Sequence, residues 1–321
     1  MNDAVRDKIL IASDGSEHSM ASVRYASSIL DQNRFELVLF HVVTKFPESF
    51  VDLKKVPAYN YRIVSIEAWE QRQVQAIGDF MEKAKAILLE AGFPDEAITL
   101  RIDERDIGIA RDIANESQKG YKAMVVGRRG LSDLKDFMLG SVAGNLLGLV
   151  SIPVWIVGGK YPPKKFLVCL NDSEGAMLAL GHVSDVLGAS TNCEITLLHV
   201  VHSFHGFKNF VREVFSSEGD ETEIERIERG LDESAKLLEP SFDKARAVLV
   251  SSGIDTRRIH EKIVSGTGSA AQAIIEEAEK GDYDTIVVGR RGLSRAEQFI
   301  MGRVSSRVIH TAGDRTVWVV S

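Results

Sequence analysis

The sequence predicts an α/β protein built from two doubly wound, five-stranded parallel sheets. Each has strand order 3-2-1-4-5 and helices on both faces, and a pseudo-twofold axis relates the two. Three observations carry this. Short continuous apolar runs alternate with longer stretches of helical period, as strands covered on both faces alternate with crossover helices. The series recurs after about 160 residues, a domain-sized repeat rather than a solenoid unit. Each copy also holds one glycine spacing. Val125-Val126-Gly127-Arg128-Arg129-Gly130, nine residues and Gly140-Ser141-Val142 match Val287-Val288-Gly289-Arg290-Arg291-Gly292, nine residues and Gly302-Arg303-Val304.

The elements follow in order. Residues 8–13 form the first apolar run, and Asp14-Gly15-Ser16 turn the chain into a helix with Met20, Val23, Ala26, Ile29 and Leu30 on one side. Ser16 suits its N-cap. Residues 35–43 are the second strand, and residues 44–60, without periodicity, read as a loop. Ile66, Trp69, Val74, Ile77, Phe80, Met81, Ala84, Ile87 and Leu88 mark a long amphipathic helix over 61–91, stopped by Gly92 and Pro94. A short strand over 98–102, a helix over 109–116, a strand over 123–127, a helix over 140–149 and a strand over 153–157 complete the first half. Pro153 at the last strand's entry suits a sheet edge.

The stretch 158–164 breaks every pattern and reads as a linker, so the expected domains are 1–158 and 164–321. Beyond it, residues 165–170 match the first strand and 195–201 the second, down to a shared His-Val-Val ending. Residues 263–264 with a helix over 270–279 match the third unit, and 316–320 match the fifth strand, tryptophan included. Helical spacing in the second half runs from Ile224 to Leu249 straight through Pro240, so a kink or break is expected near Glu239.

Composition limits the function classes. Hydrophobic residues make up 44% and charged residues 26%, enough for an ample core. No apolar run reaches the ~18 residues of a membrane helix, and the first residues show no apolar leader. Two cysteines, Cys169 and Cys193, make no disulfide framework, which fits a cytoplasmic protein. A net charge of −7 argues against general nucleic-acid binding.

The glycine pattern carries the chemistry. Backbone N–H groups at such glycines and at a helix start converge on one place, where an oxyanion binds. Ser141 either donates to a phosphate oxygen or caps its helix. Arg129 either pairs with a phosphate or lies in solvent, and Arg128 reads as solvated surface. Asp14 ends a buried strand and can accept from a ribose hydroxyl or an adenine amine, or cap the helix after it. Val42 lines an adenine slot or belongs to the core. His41 and His199 read as hydrogen-bonded core histidines rather than bases. In open α/β sheets a ligand sits beyond the strands' carboxyl ends, where the order reverses. That places strands one and four side by side and leaves strand five at the edge. Edge pairing of the two halves gives an intramolecular pseudo-dimer, with a homodimer also open.

Gly266-Thr267-Gly268-Ser269-Ala270-Ala271 fits a dinucleotide pattern, but a glycine turn before a helix explains it as well.

On these residues the chain resembles the universal stress protein family in its tandem two-domain form, over nearly the whole length. The most specific feature, G-x2-G-x9-G-[ST], is met by Gly127, Gly130, Gly140 and Ser141. The resemblance implies that Asp14 and Val42 contact ribose and adenine, and that Ala12, Arg129 and Val142 also touch the nucleotide. It implies ATP or ADP as ligand, a role in stress tolerance, dimerisation through strand five, and at most slow hydrolysis. Mg²⁺ or Mn²⁺ is expected on the phosphates, with no protein ligand to name. In the second half Asn171-Asp172 replaces Asp14-Gly15 and Arg303 replaces Ser141. The equivalent candidates there are Asn171, Gly289, Arg291, Gly292, Gly302, Arg303 and Val304, and nucleotide binding by that half stays open. Three readings follow: a nucleotide-binding regulatory protein read by a protein partner, a slow ATPase or phosphotransferase using Asp133 or Asp136, and a ligand-free interaction module, which best suits the second half.

Overall fold

The computed structural model describes residues 6–44, 60–130, 139–159, 161–171, 173–188, 192–202, 238–266, 269–290 and 301–321. The chain divides into two compact units, Met1–Tyr161 and Pro162–Ser321.

The first unit contains β1 (Asp7–Ala12), α1 (Glu17–Ile29), β2 (Phe35–Val43), α2 (Asn60–Glu90), β3 (Ile98–Glu104), α3 (Ile109–Ser117), β4 (Tyr121–Gly127), α4 (Ser141–Leu149) and β5 (Val154–Val157). Its strands lie in the order β3-β2-β1-β4-β5, and every adjacent pair is parallel. The order reverses between β1 and β4, where Ile9–Ala12 runs beside Ala123–Val126. A parallel sheet needs cover on both faces, and Ile9, Leu10, Ile11 and Leu39 are fully buried. Trp155 of β5 meets Tyr25 of α1 edge-on, ring centres 6.4 Å apart.

The second unit repeats this plan with β6 (Lys165–Leu170), α5 (Glu174–Leu187), β7 (Glu194–His202), α6 (Glu239–Ser251), β8 (Ile259–Gly266), α7 (Ala270–Lys280), β9 (Thr285–Gly289), α8 (Arg303–Thr311) and β10 (Thr316–Val320). Its strands lie in the order β8-β7-β6-β9-β10, again parallel throughout. Trp318 takes the place of Trp155 and packs edge-on against Phe166 at 5.3 Å.

Local signals act as the sequence reading expects. Ser16 caps α1, its side chain accepting from the Ser19 N–H. Gly92 follows α2 with φ +94°, a backbone that a side chain would strain. α6 begins at Glu239, where a break is expected, and Pro240 sits in its first turn, where a missing N–H removes no helical bond. The helical spacing ahead of it, over 224–237, lies outside the described residues, as do the expected loop over 45–59 and Thr267-Gly268. Strands β3 and β8 run longer than their apolar runs, because pairing with β2 and β7 carries polar residues into the sheet. Both cysteines are free. Burial pushes the Cys169 thiol up to about 12 and the Cys193 thiol up to about 11. Among the described residues no helix is long and apolar enough to cross a membrane.

Candidate functional site

A cavity of about 430 Å³ opens at the carboxyl ends of β1, β2 and β4, a size usual for small-molecule sites. All nine first-half candidates line it: Ala12, Asp14, Val42, Gly127, Arg129, Gly130, Gly140, Ser141 and Val142.

The exit of β1 is held from both sides. The Ser13 N–H donates to the Phe40 carbonyl at 2.9 Å, and the Ser13 carbonyl lies 2.8 Å from His41 Nδ1. Burial pushes the His41 imidazole below its ordinary value, with that carbonyl and the nearby Asp14 charge opposing. A neutral imidazole donating from Nδ1 fits this setting, so His41 acts as a hydrogen-bonded strand residue that also faces the cavity.

Asp14 is fixed by the start of α1. Its Oδ1 accepts from the Ser16 N–H at 3.0 Å and from the Ser19 hydroxyl, while its own N–H donates to Ser19 Oγ at 3.0 Å. Gly15 supplies the turn with φ +82°. The other carboxylate oxygen faces Gly130: a Cβ there would lie 2.3 Å from Asp14 Oδ2. Local capping uses Oδ1, and Oδ2 is the oxygen turned toward the β4 exit.

The exit of β4 is equally close-set. A Cβ on Gly127 would stand 3.1 Å from the His18 carbonyl. Arg128 is buried, at 2% exposure, which corrects its reading as solvated surface. Its backbone explains this: the N–H donates to Val157 at the end of β5 at 2.9 Å, and the carbonyl accepts from the Gly140 N–H at 2.8 Å. Both bonds draw the residue inward.

Gly140 therefore uses its own N–H to close the chain at the head of α4. It is also the N-cap, without any side-chain cap bond, so Ser141 does not cap the helix. Ser141 is exposed and Val142 half-buried on the cavity. N–H groups in a first helical turn have no partner within the helix, so Ser141, Val142 and Ala143 present main-chain donors at the cavity. The half-buried Arg129 lines the same cavity, and the first turn of a helix is an electropositive end. Val42, at 5% exposure, belongs to the core and lines the cavity as well.

The cavity also has walls the glycine pattern does not announce. α2 contributes Trp69, Gln73, Ala76 and Ile77, and α3 contributes Ile109 and Ile113. The usable signal is positional: a helix that follows a strand begins at that strand's carboxyl end, so its early turns overlook the crevice.

The second unit keeps the backbone and changes the side chains. Gly302 has φ −62° and ψ 146°, matching −60° and 147° at Gly140. Its N–H donates to the Arg290 carbonyl at 2.9 Å. Asn171 is exposed, and its Oδ1 accepts from the Ser173 N–H at 3.1 Å and from the Ser173 hydroxyl. A Cβ on Gly289 would meet the Gly175 backbone at 2.5 Å. Arg303 and Val304 occupy the exposed first turn of α8. Arg291, Gly292, Asp133 and Asp136 lie outside the described residues. Among the described residues, no group of three or more His, Cys, Asp or Glu side chains is placed to hold a metal ion.

The sequence model of the family described as "Universal stress protein family" matches the chain twice, over residues 6–158 and 163–321. The chain is 24% identical over 315 residues to a universal stress protein of Mycolicibacterium smegmatis, covering 95% of this chain and 94% of that one. It is 31% identical over 153 residues to Universal stress protein YxiE of Bacillus subtilis, covering 47% of this chain and 98% of the relative. Among solved structures it is similar to a universal stress protein from Archaeoglobus fulgidus, 20% identical with 98% of both chains covered and a TM-score of 0.61. That likeness is one of fold.

Proposed function

The chain belongs to the universal stress protein family as a tandem of two such domains, and on that premise we propose that its first unit is an adenine-nucleotide receptor serving a stress response. The observation that carries this reading is the convergence of Asp14, Val42 and the Gly127–Val142 cradle on one cavity. In this reading adenine lies over Val42, ribose bonds to Asp14, and the phosphates of ATP or ADP take N–H groups from Gly130 and the start of α4. Charge-assisted bonds contribute about 1.5–3 kcal/mol each. Several of them, less the cost of ordering the ligand, correspond to micromolar affinity, about −8 kcal/mol. Mg²⁺ enters on the phosphates, where it balances their charge. The bound state is what a partner protein reads, and turnover is not required.

The test is denaturing mass spectrometry of the purified full chain, followed by calorimetry with ATP after nucleotide removal. One adenine nucleotide per chain and micromolar binding are expected. A protein that carries none and gives no heat with ATP would refute the proposal.

A further inference from the structure

We infer that α2 supplies the wall against which the base lies, with Trp69 stacked on its face. The inference rests on the nucleotide reading above and adds a residue outside the glycine pattern. The cavity differs along its length. Toward the β4 exit it is bounded by Asp14, glycine backbone and the N–H groups of α4. Its apolar lining comes from Val42 and Val43 at the end of β2, from Trp69 and Ile77 of α2 and from Ile109 of α3. α1 and α2 pack together, as do α3 and α4, so the end of β2 lies between α2 and α3. A flat aromatic ring suits an apolar slot of that kind, provided one wall has a face to offer.

Trp69 lines that slot. Further along α2, Ile77, Phe80, Met81, Ala84 and Leu88 are buried as an amphipathic helix requires, yet Trp69 is 43% exposed while lining the cavity. Trp155 and Trp318 are fully buried. An indole covered by a base loses contact with water, and stacking accepts any base because each has a π-face. Alanine substitution at a stacking aromatic typically weakens binding about 5- to 150-fold, and a half-exposed indole belongs near the low end, about 5- to 20-fold.

The test uses the full chain, nucleotide-free, with calorimetry for ATP and for tripolyphosphate. Trp69→Ala should weaken ATP about 5- to 20-fold and Trp69→Phe about 2- to 3-fold, since a smaller ring still stacks. Tripolyphosphate, which has no base, should bind all three proteins alike. Tryptophan fluorescence of the wild type should change saturably with ATP, and that change should vanish in Trp69→Phe. A wild type that binds ATP while Trp69→Ala binds it as tightly would overturn the inference and leave the nucleotide reading intact. So would equal weakening of ATP and tripolyphosphate. A wild type that binds no ATP would overturn both.

Discussion

Gly130→Ala probes the contact that joins the β1 and β4 exits. The new Cβ would stand 2.3 Å from Asp14 Oδ2, where ordinary contact begins at 3.4 Å, so about 1 Å must be found. Asp14 yields poorly, because its Oδ1 is held by the Ser16 N–H and the Ser19 hydroxyl. Bonds to a charged acceptor are worth about 1.5–3 kcal/mol each. Partial loss of two of them, shared with a small loop shift, corresponds to about 1–3 kcal/mol. At about 2–4 °C per kcal/mol for a unit of this size, Tm should fall by about 2–12 °C. ATP affinity should drop about 10- to 100-fold, because the Gly130 N–H and the Asp14 carboxylate move together. Thermal denaturation and calorimetry on Gly130→Ala, Asp14→Ala and the double variant form a cycle. With the carboxylate gone, alanine at 130 should cost less than half as much stability. An unchanged Tm with ATP affinity within about twofold of wild type, or strictly additive losses, would refute the reasoning.

Three further outcomes are expected. Asp14→Asn reproduces the residue found at Asn171 and exchanges a charged acceptor for a neutral one, so ATP affinity should fall about 5- to 10-fold by calorimetry, with Tm lowered by a few degrees as the Ser16 and Ser19 bonds lose their charge assistance. Glu116 is buried and accepts from Arg101 at 2.9 Å, Lys119 at 2.7 Å and Tyr121 at 2.7 Å. Glu116→Ala strands those donors and should cost about 2–3 kcal/mol by urea unfolding, the partial exposure of Arg101 softening the loss. The His41 pKa is lowered in the fold, so the unfolded chain takes up the proton first as pH falls. Stability should therefore decline as pH drops through the ordinary histidine value of about 6.5 and stop declining below the folded value. His41→Gln should flatten the fall in Tm between about pH 7.5 and 5.5, and an equally steep variant would show that another group governs it.

Much of the architecture is legible because it is written locally. β1, β2 and β10 are continuous apolar runs, and the glycine spacing is a property of the chain itself. β3 reads short because Asp103 and Glu104 look like surface. In the fold, Arg101 lies over the Phe40 ring at 5.4 Å and reaches Glu116, so a charged residue shields the sheet. Glu261 and Lys262 disguise β8 in the same manner, with Lys262 bonded to buried Glu277 at 2.7 Å. The burial of Arg128 is invisible in sequence because adjacency to Arg129 says only that the two side chains diverge. What draws it inward is a pair of backbone bonds to residues far along the chain. Trp69 sits within a helical pattern that marks it as core, and only the packing of α2 over the strand ends shows that it stays 43% exposed beside the cavity.

The backbone bonds of Arg128 to Gly140 and Val157 recur as those of Arg290 to Gly302 and Val320. Each acts as a buckle that ties the exit of one strand to the end of its neighbour and to the head of the helix that follows. Loss of either bond would free the strand exit and the helix head together, and the main-chain donors of the cradle would lose their common direction.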